Sequence, residues 1–242
     1  MQDKISISIS SNLLKLADGL VDSSLVRNRS QAFEKVLREY FAKGSISKAV
    51  ILLGKATLID EKVLRHYLDK LLEQSVHEVV IAAATHNSDV FAMLGSSYRG
   101  IRLSYLNEEK LLGNAGAIKS LEKDFTTTFL VVSGDIRFDF DLSKMLSFHR
   151  EKCSTATMCL TSVDLDKSTD NIVFECDRVI SFEYKGKTKT GLINAAIYLF
   201  EPAIFQHLQK VGSLERDIFP QLAKKGLLYG LVSNLSGWSQ TC

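Results

Sequence analysis

The chain opens on strict alternation. In ISISIS, residues 5 to 10, isoleucine and serine take turns, so an extended strand would show Ile5, Ile7 and Ile9 on one face and Lys4, Ser6 and Ser8 on the other. The period then changes. Behind Ser10 or Ser11, either of which can cap a helix, Leu13, Leu16, Ala17, Leu20 and Val21 recur at helical spacing. A second helix is predicted with Ser30 as its cap and Ala32, Phe33, Val36, Leu37, Tyr40 and Phe41 as its apolar stripe. AKGSIS (42 to 47) then reads as a break, with Gly44 ending the helix.

From residue 48 apolar strands alternate with amphipathic helices: KAVILL, DEKVLRHYLDKLLEQ, HEVVIAA, NSDVFAML, GIRLSYL, AGAIKSLEKD, TTFLVVSGD and LSKMLSFHRE. That order predicts a parallel sheet covered on both sides, with ligands beyond the carboxyl ends of its strands. From CSTATMCLTSV onward the pattern turns strand-rich, then predicts two helices around PAIFQHLQK and LERDIFPQLAKKG and a closing strand, LLYGLVS. The fold class expected is α/β, a Rossmann-like mixed sheet behind a small leading domain. Its parts are residues 1–43, a linker at 44–47, and 48–242.

Composition narrows the picture little. With 242 residues, 45% of them hydrophobic and 24% charged, the chain can bury one full core and a small one. A net charge of +2 does not imply a polyanion partner for the whole molecule. Cys153, Cys159, Cys176 and Cys242 form no Cys-x-x-Cys pair and the five histidines lack ligand spacing, so neither a zinc site nor a redox motif is supported. The first residues lack a signal-peptide core and no apolar run approaches the ~20 residues of a membrane span, which predicts no membrane partner and a reducing cytoplasm.

A strand and two helices are too little to fold alone, and a lone strand leaves its backbone groups unpaired. Two copies would pair their strands, bury the isoleucines against four helices and expose a ribbon able to enter a DNA major groove. The stretch KISISISSNLLKLADGLVDSSLVRNRSQAFEKVLREYF, residues 4 to 41, resembles the ribbon-helix-helix module of the CopG, Arc and MetJ repressors. The resemblance implies a homodimer, or a tetramer of paired dimers, on double-stranded DNA. It gives base reading to Lys4, Ser6 and Ser8, and phosphate contact to Asn28, Arg29 and Ser30. The plainer alternative is an amphipathic strand and two helices that only dimerise the protein.

Residues 48 to about 240 resemble the nucleotidyltransferases that join a nucleoside triphosphate to a sugar 1-phosphate. The likeness is carried by KAVILLG, LLGNAGAI, VVSGD, DFDLSKMLSFH, VISFEYK, LINAAIYLFEP, SLERDIFPQLAKKGLLYG and a late GW, in the family's order. It implies that Gly113, Asn114 and Gly116 approach base and sugar, that Lys185 and Asn194 serve the sugar phosphate, and that Asp135 holds magnesium. The chain departs from the pattern where AVILLGKATLIDEKVL runs into its helix with Gly54 alone, without the family's glycine-rich arginine loop and Pro-Lys-Pro segment. Tyr184 replaces a glutamate, and GWSQTC puts Gln240 or a neighbour near the second magnesium aspartate. Each retained residue also has a structural reading: Asp135 can cap a turn, Lys185 can be a solvated charge, and the glycines can serve a tight connection.

The expectation from both halves is a DNA-binding transcription regulator whose catalytically decayed transferase domain senses a nucleotide, sugar phosphate or nucleotide sugar. The alternative is an active sugar-1-phosphate nucleotidyltransferase, with magnesium at Asp135 and the leading segment as a dimerisation module.

Overall fold

The computed structural model describes residues 6–22, 26–42, 46–54, 60–83, 87–107, 110–134, 136–137, 141–162, 170–186, 191–233 and 239–240. The chain divides into two compact units, Met1–Ser45 and Ile46–Cys242.

In the first unit, α1 (Ser11–Asp18) begins where the Ser10 hydroxyl accepts the Leu13 N–H at 3.4 Å, and α2 (Arg29–Ala42) follows. Asn28, not Ser30, caps α2: its side-chain oxygen accepts the Gln31 N–H at 3.0 Å, which leaves Ser30 inside the first turn. The Arg29 guanidinium grips Asp18 through two N–H···O bonds of 2.5 and 2.9 Å, tying one helix to the other. Between the helices lies a small apolar centre of Ala17, Val26 and Ala32. The expected opening strand is not formed among the described residues, and Ser6, Ile7, Ser8 and Ile9 are exposed; Lys4 and Ile5 lie outside those residues. Alternation supplies two faces, but a strand also needs a neighbour for its N–H and C=O groups, and the described residues of this unit provide none. The α1 stripe is likewise open, with Leu13 56% and Leu16 69% exposed.

The second unit runs β1 (Lys48–Leu52), α3 (Glu61–Glu73), β2 (Glu78–Ala82), α4 (Asn87–Leu94), β3 (Ser97–Tyr98), β4 (Ile101–Tyr105), α5 (Gly113–Ser120), β5 (Phe129–Ser133), β6 (Ile136–Arg137), α6 (Leu142–Glu151) and β7 (Ala156–Ser162). It continues with β8 (Asn171–Glu175), β9 (Arg178–Glu183), β10 (Leu192–Phe200), a 3-10 turn (Pro202–Gln206), a π turn (Leu214–Ile218), α7 (Phe219–Lys224), β11 (Leu228–Val232) and β12 (Ser239–Gln240).

One ten-stranded sheet has the order β3-β4-β2-β1-β5-β10-β7-β11-β9-β8. Strands β4, β2, β1 and β5 run parallel; β10 is antiparallel to both β5 and β7, so the sheet is mixed. The central strands are apolar on both faces because each face meets its own core. Ala49, Ile51, Leu130 and Val132 point into one, and Val50, Leu52, Phe129 and Val131 into the other. Helix α3 covers the first: Asp60 caps it by accepting the Lys62 N–H at 2.8 Å, and Leu64, Tyr67, Leu68 and Leu71 bury one face. Each such leucine stabilises the unit by about 1.5–3 kcal/mol. The two late helices are shorter than expected. PAIFQHLQK forms only a 3-10 turn, and the last helix begins as a π turn, Leu214–Ile218, which gives way to α7 with Pro220 in its first turn, where a missing N–H breaks no helix hydrogen bond.

Candidate functional site

Parallel strands end together, and the chain must leave each of them there, which opens a cleft. A cavity of about 340 Å³ occupies this place. Its floor is Leu52 at the end of β1, Leu53 and Gly54 just after it, Ala82 at the end of β2 and Ser133 at the end of β5; Gly113, Asn114 and Ala117 of α5 form one wall. Ala196 and Tyr198 of β10, Glu215 of the π turn and Leu111 complete it.

Two cross-links shape the walls. Asn114 joins α5 to the π turn: its amide nitrogen donates to both Glu215 oxygens at 3.1 and 2.9 Å, and its carbonyl oxygen accepts the Leu214 N–H at 2.8 Å. The Ser213 hydroxyl donates to the same carboxylate at 2.8 Å. In β10, Asn194 folds over a bulge: its oxygen accepts the Ala196 N–H at 2.9 Å and its amide donates to the Tyr198 hydroxyl at 2.8 Å. The bulge turns Ala196 to φ 53, a left-handed conformation that costs an L-residue about 1–2 kcal/mol.

The residues marked in the sequence are therefore distributed unevenly. Gly113 and Asn114 line the cavity. Gly116 is buried behind it, with any Cβ directed at the Lys210 carbonyl; Gly113 has φ +73 and faces the Gly212 carbonyl equally closely, so both glycines let α5 lie against residues 210–212. Asn194 does not line the cavity and spends its amide inside β10. Lys185 lies on the exposed turn after β9, its ammonium 5.5 Å from the Tyr184 ring centre and its N–H donating to Asp170 at 2.9 Å. Burial pushes the Asp170 carboxyl above its ordinary value, partly countered by that N–H, and the Glu215 charge adds to the rise. Asp135 lies outside the described residues, as does Lys4 of the opening segment. Ser6, Ser8, Asn28, Arg29 and Ser30 belong to the first unit and are exposed. Nothing in the sequence motifs singles out Glu215 or Tyr198, although the Ser213–Leu214–Glu215 run carries a recognisable cap, with the Ser213 hydroxyl accepting the Arg216 N–H.

A second polar cluster lies at the opposite end of β5. Buried His149 meets Thr157 at 2.7 Å and Ser154 at 2.9 Å through Nδ1, and Glu201 at 3.1 Å through Nε2. The order serine–histidine–carboxylate is that of a hydrolase triad, but Ser154 is only 3% exposed and its hydroxyl also meets Thr157 at 2.6 Å, so the cluster is a satisfied core network. Among the described residues no group of three or more His, Cys, Asp or Glu side chains could hold a metal, and no helix is long and apolar enough to cross a membrane. The described residues do not make up the magnesium site that the fold implies.

An open α/β sheet with a cavity at the carboxyl ends of its parallel strands, next to a helix start, is the arrangement in which α/β proteins bind their ligands. The family is more specific: the Nucleotidyl transferase model matches residues 44–241, and the chain belongs to that family. It is 34% identical over 165 residues to D-glycero-alpha-D-manno-heptose 1-phosphate guanylyltransferase of Campylobacter jejuni, covering 66% of this chain and 72% of that protein. It is 30% identical over 182 residues to the mannose-1-phosphate guanylyltransferase catalytic subunit beta of Danio rerio, covering 71% of this chain and 50% of the relative, so it spans half that protein's length. The crystal structure of HddC from Yersinia pseudotuberculosis superposes with a TM-score of 0.66 at 21% identity, covering 78% of this chain and 92% of that one, which shows the fold.

These relatives correct the functional expectation. They are transferases named for sugar 1-phosphates, so the reading as a DNA-binding transcription regulator with a decayed transferase domain is overturned in favour of its alternative. Neither a ribbon-helix-helix module nor a DNA partner is supported by the family match, which begins at residue 44.

Proposed function

We propose that the protein is an active sugar-1-phosphate nucleotidyltransferase, transferring a guanylyl group from GTP to a manno-configured hexose or heptose 1-phosphate with release of pyrophosphate. The observation that carries this reading is the cavity at the ends of β1, β2 and β5, closed by α5 and the π turn, in a chain matched by the transferase family from residue 44 to 241. The substrate class follows the names of the relatives at 34% and 30% identity. Asp135 is the magnesium ligand in this reading, and the first unit pairs with a second copy through its exposed Ile7, Leu13 and Leu16. The enzyme works in the cytoplasm, where its exposed Cys153 and Cys176 thiols stay reduced.

The test is pyrophosphate release with magnesium, across nucleoside triphosphates paired with mannose, heptose and glucose 1-phosphates. GTP with a manno-configured sugar is expected to turn over, and Asp135→Ala to abolish it. No release from any pair would sink the reading.

A further inference from the structure

Within the proposed transferase reading, on which this inference rests, the cavity leaves open which group recognises the sugar. Its described side-chain polar groups are those of Asn114, Ser133, Tyr198 and Glu215. The two asparagines that resemblance would aim at ligand are instead engaged in the walls, Asn114 on Glu215 and Leu214 N–H, and Asn194 on Ala196 N–H and Tyr198. What Asn114 holds in place is a carboxylate that lines the cavity.

The geometry points to Glu215 as the specificity-determining residue for the sugar, accepting at Oε1 a hydrogen bond from one of its ring hydroxyls, with Asn114 as the positioning residue that aims it.

Three lines of chemistry carry this. First, a carboxylate only accepts, with about four lone-pair positions. Its Oε2 takes Asn114 at 2.9 Å and Ser213 at 2.8 Å, whereas among the described residues Oε1 takes only the longer Asn114 contact of 3.1 Å and keeps room for a further donor. Second, its charge repels phosphate oxygens and attracts hydroxyl donors, so the part of a sugar 1-phosphate that it meets is the ring. Third, its position is fixed from two sides, by α5 through Asn114 and by the π-turn cap through Ser213. A polar group held this way in a cavity walled by Leu52, Leu53, Leu111 and Ala117 discriminates between ligands, because one lacking the matching hydroxyl leaves Oε1 desolvated and short of a donor.

The experiment measures binding and turnover separately on the full chain. Calorimetry with mannose 1-phosphate and its 2-, 3- and 4-deoxy counterparts is run on the wild type, Glu215→Gln, Glu215→Ala and Asn114→Ala, with GTP titrated in parallel and circular dichroism to confirm that each variant is folded. Both Glu215 variants are expected to weaken mannose 1-phosphate about 10- to 100-fold, the range for hydrogen bonds to a charged group, and to leave GTP affinity within about twofold. The loss should vanish for at least one deoxy analogue. Asn114→Ala should show a smaller loss on the same sugar. Equal losses on all the deoxy sugars, an equal loss for GTP, or retained mannose 1-phosphate affinity in Glu215→Ala would overturn the inference, as would a wild type that does not bind the sugar. A wild type that binds mannose 1-phosphate in a Glu215-dependent way but releases no pyrophosphate would overturn the transferase reading and uphold Glu215.

Discussion

Replacing Gly116 by alanine sets two effects against each other. The residue lies within α5, where alanine ordinarily stabilises a helix by about 1 kcal/mol over glycine. Here a Cβ would stand 2.5 Å from the Lys210 carbonyl oxygen and 2.8 Å from Leu112 Cβ. The carbonyl belongs to the main chain and cannot rotate out of the way, so α5 must lift from the segment that it packs on. That segment is bound to it by the Ala115 N–H on the Gly212 oxygen at 3.2 Å and the Gly212 N–H on the Leu112 oxygen at 2.9 Å. Overpacking of this kind costs about 1–3 kcal/mol, and a clash with backbone belongs at the upper end. Subtracting the propensity gain leaves a net loss of about 2 kcal/mol. Because Ser213 and Glu215 follow directly, the variant should also raise KM for the sugar phosphate. Urea denaturation followed by circular dichroism reads the stability as a lower midpoint at unchanged slope. An unchanged or raised midpoint would refute the packing argument and return Gly116 to the group of residues kept for ligand approach.

Three further outcomes test the parts away from the cavity. His149→Leu removes the Nδ1 contacts to Thr157 and Ser154 and the charge-assisted bond to Glu201, while Ser154 keeps Thr157 at 2.6 Å and Glu201 keeps Thr128 at 2.6 Å, so a loss of about 2–4 kcal/mol is expected with turnover per folded molecule intact. His149 is also the main cause holding the Glu201 carboxyl below its ordinary 4.5, so the wild type gains stability from Glu201 above that pH and loses it as pH falls through the lowered value; His149→Leu should flatten this acid limb in denaturation midpoints taken below pH 5. Among the described cysteines, exposed Cys153 and Cys176 should alkylate in the native protein, while Cys159, whose thiol burial pushes up to about 12, should label only on unfolding, as peptide mass spectrometry would show.

What the chain revealed in advance was what local periodicity determines. Helix α3 is legible because Leu64, Tyr67, Leu68 and Leu71 sit at helical spacing behind the Asp60 cap, and β1 and β5 are legible as runs apolar on both faces. The place of the cavity followed from the same alternation, since parallel strands put their carboxyl ends together. Features that depend on a distant partner were not legible. Ile5 to Ser10 has a faultless strand pattern, yet pattern supplies no neighbour, and residues 6–10 are not a strand. The same limit explains the glycines and asparagines of the site. Gly116 looks like a ligand-approach residue until Lys210 arrives against it from far along the chain, and Asn114 looks like a ligand contact until Glu215 takes its amide. In each case the motif was visible, but the atom facing it comes from another element, so the chemistry passes from the motif to its partner. That is why the residue best placed to meet a sugar is Glu215, a carboxylate on a capped turn, rather than the asparagine that sequence comparison marks first.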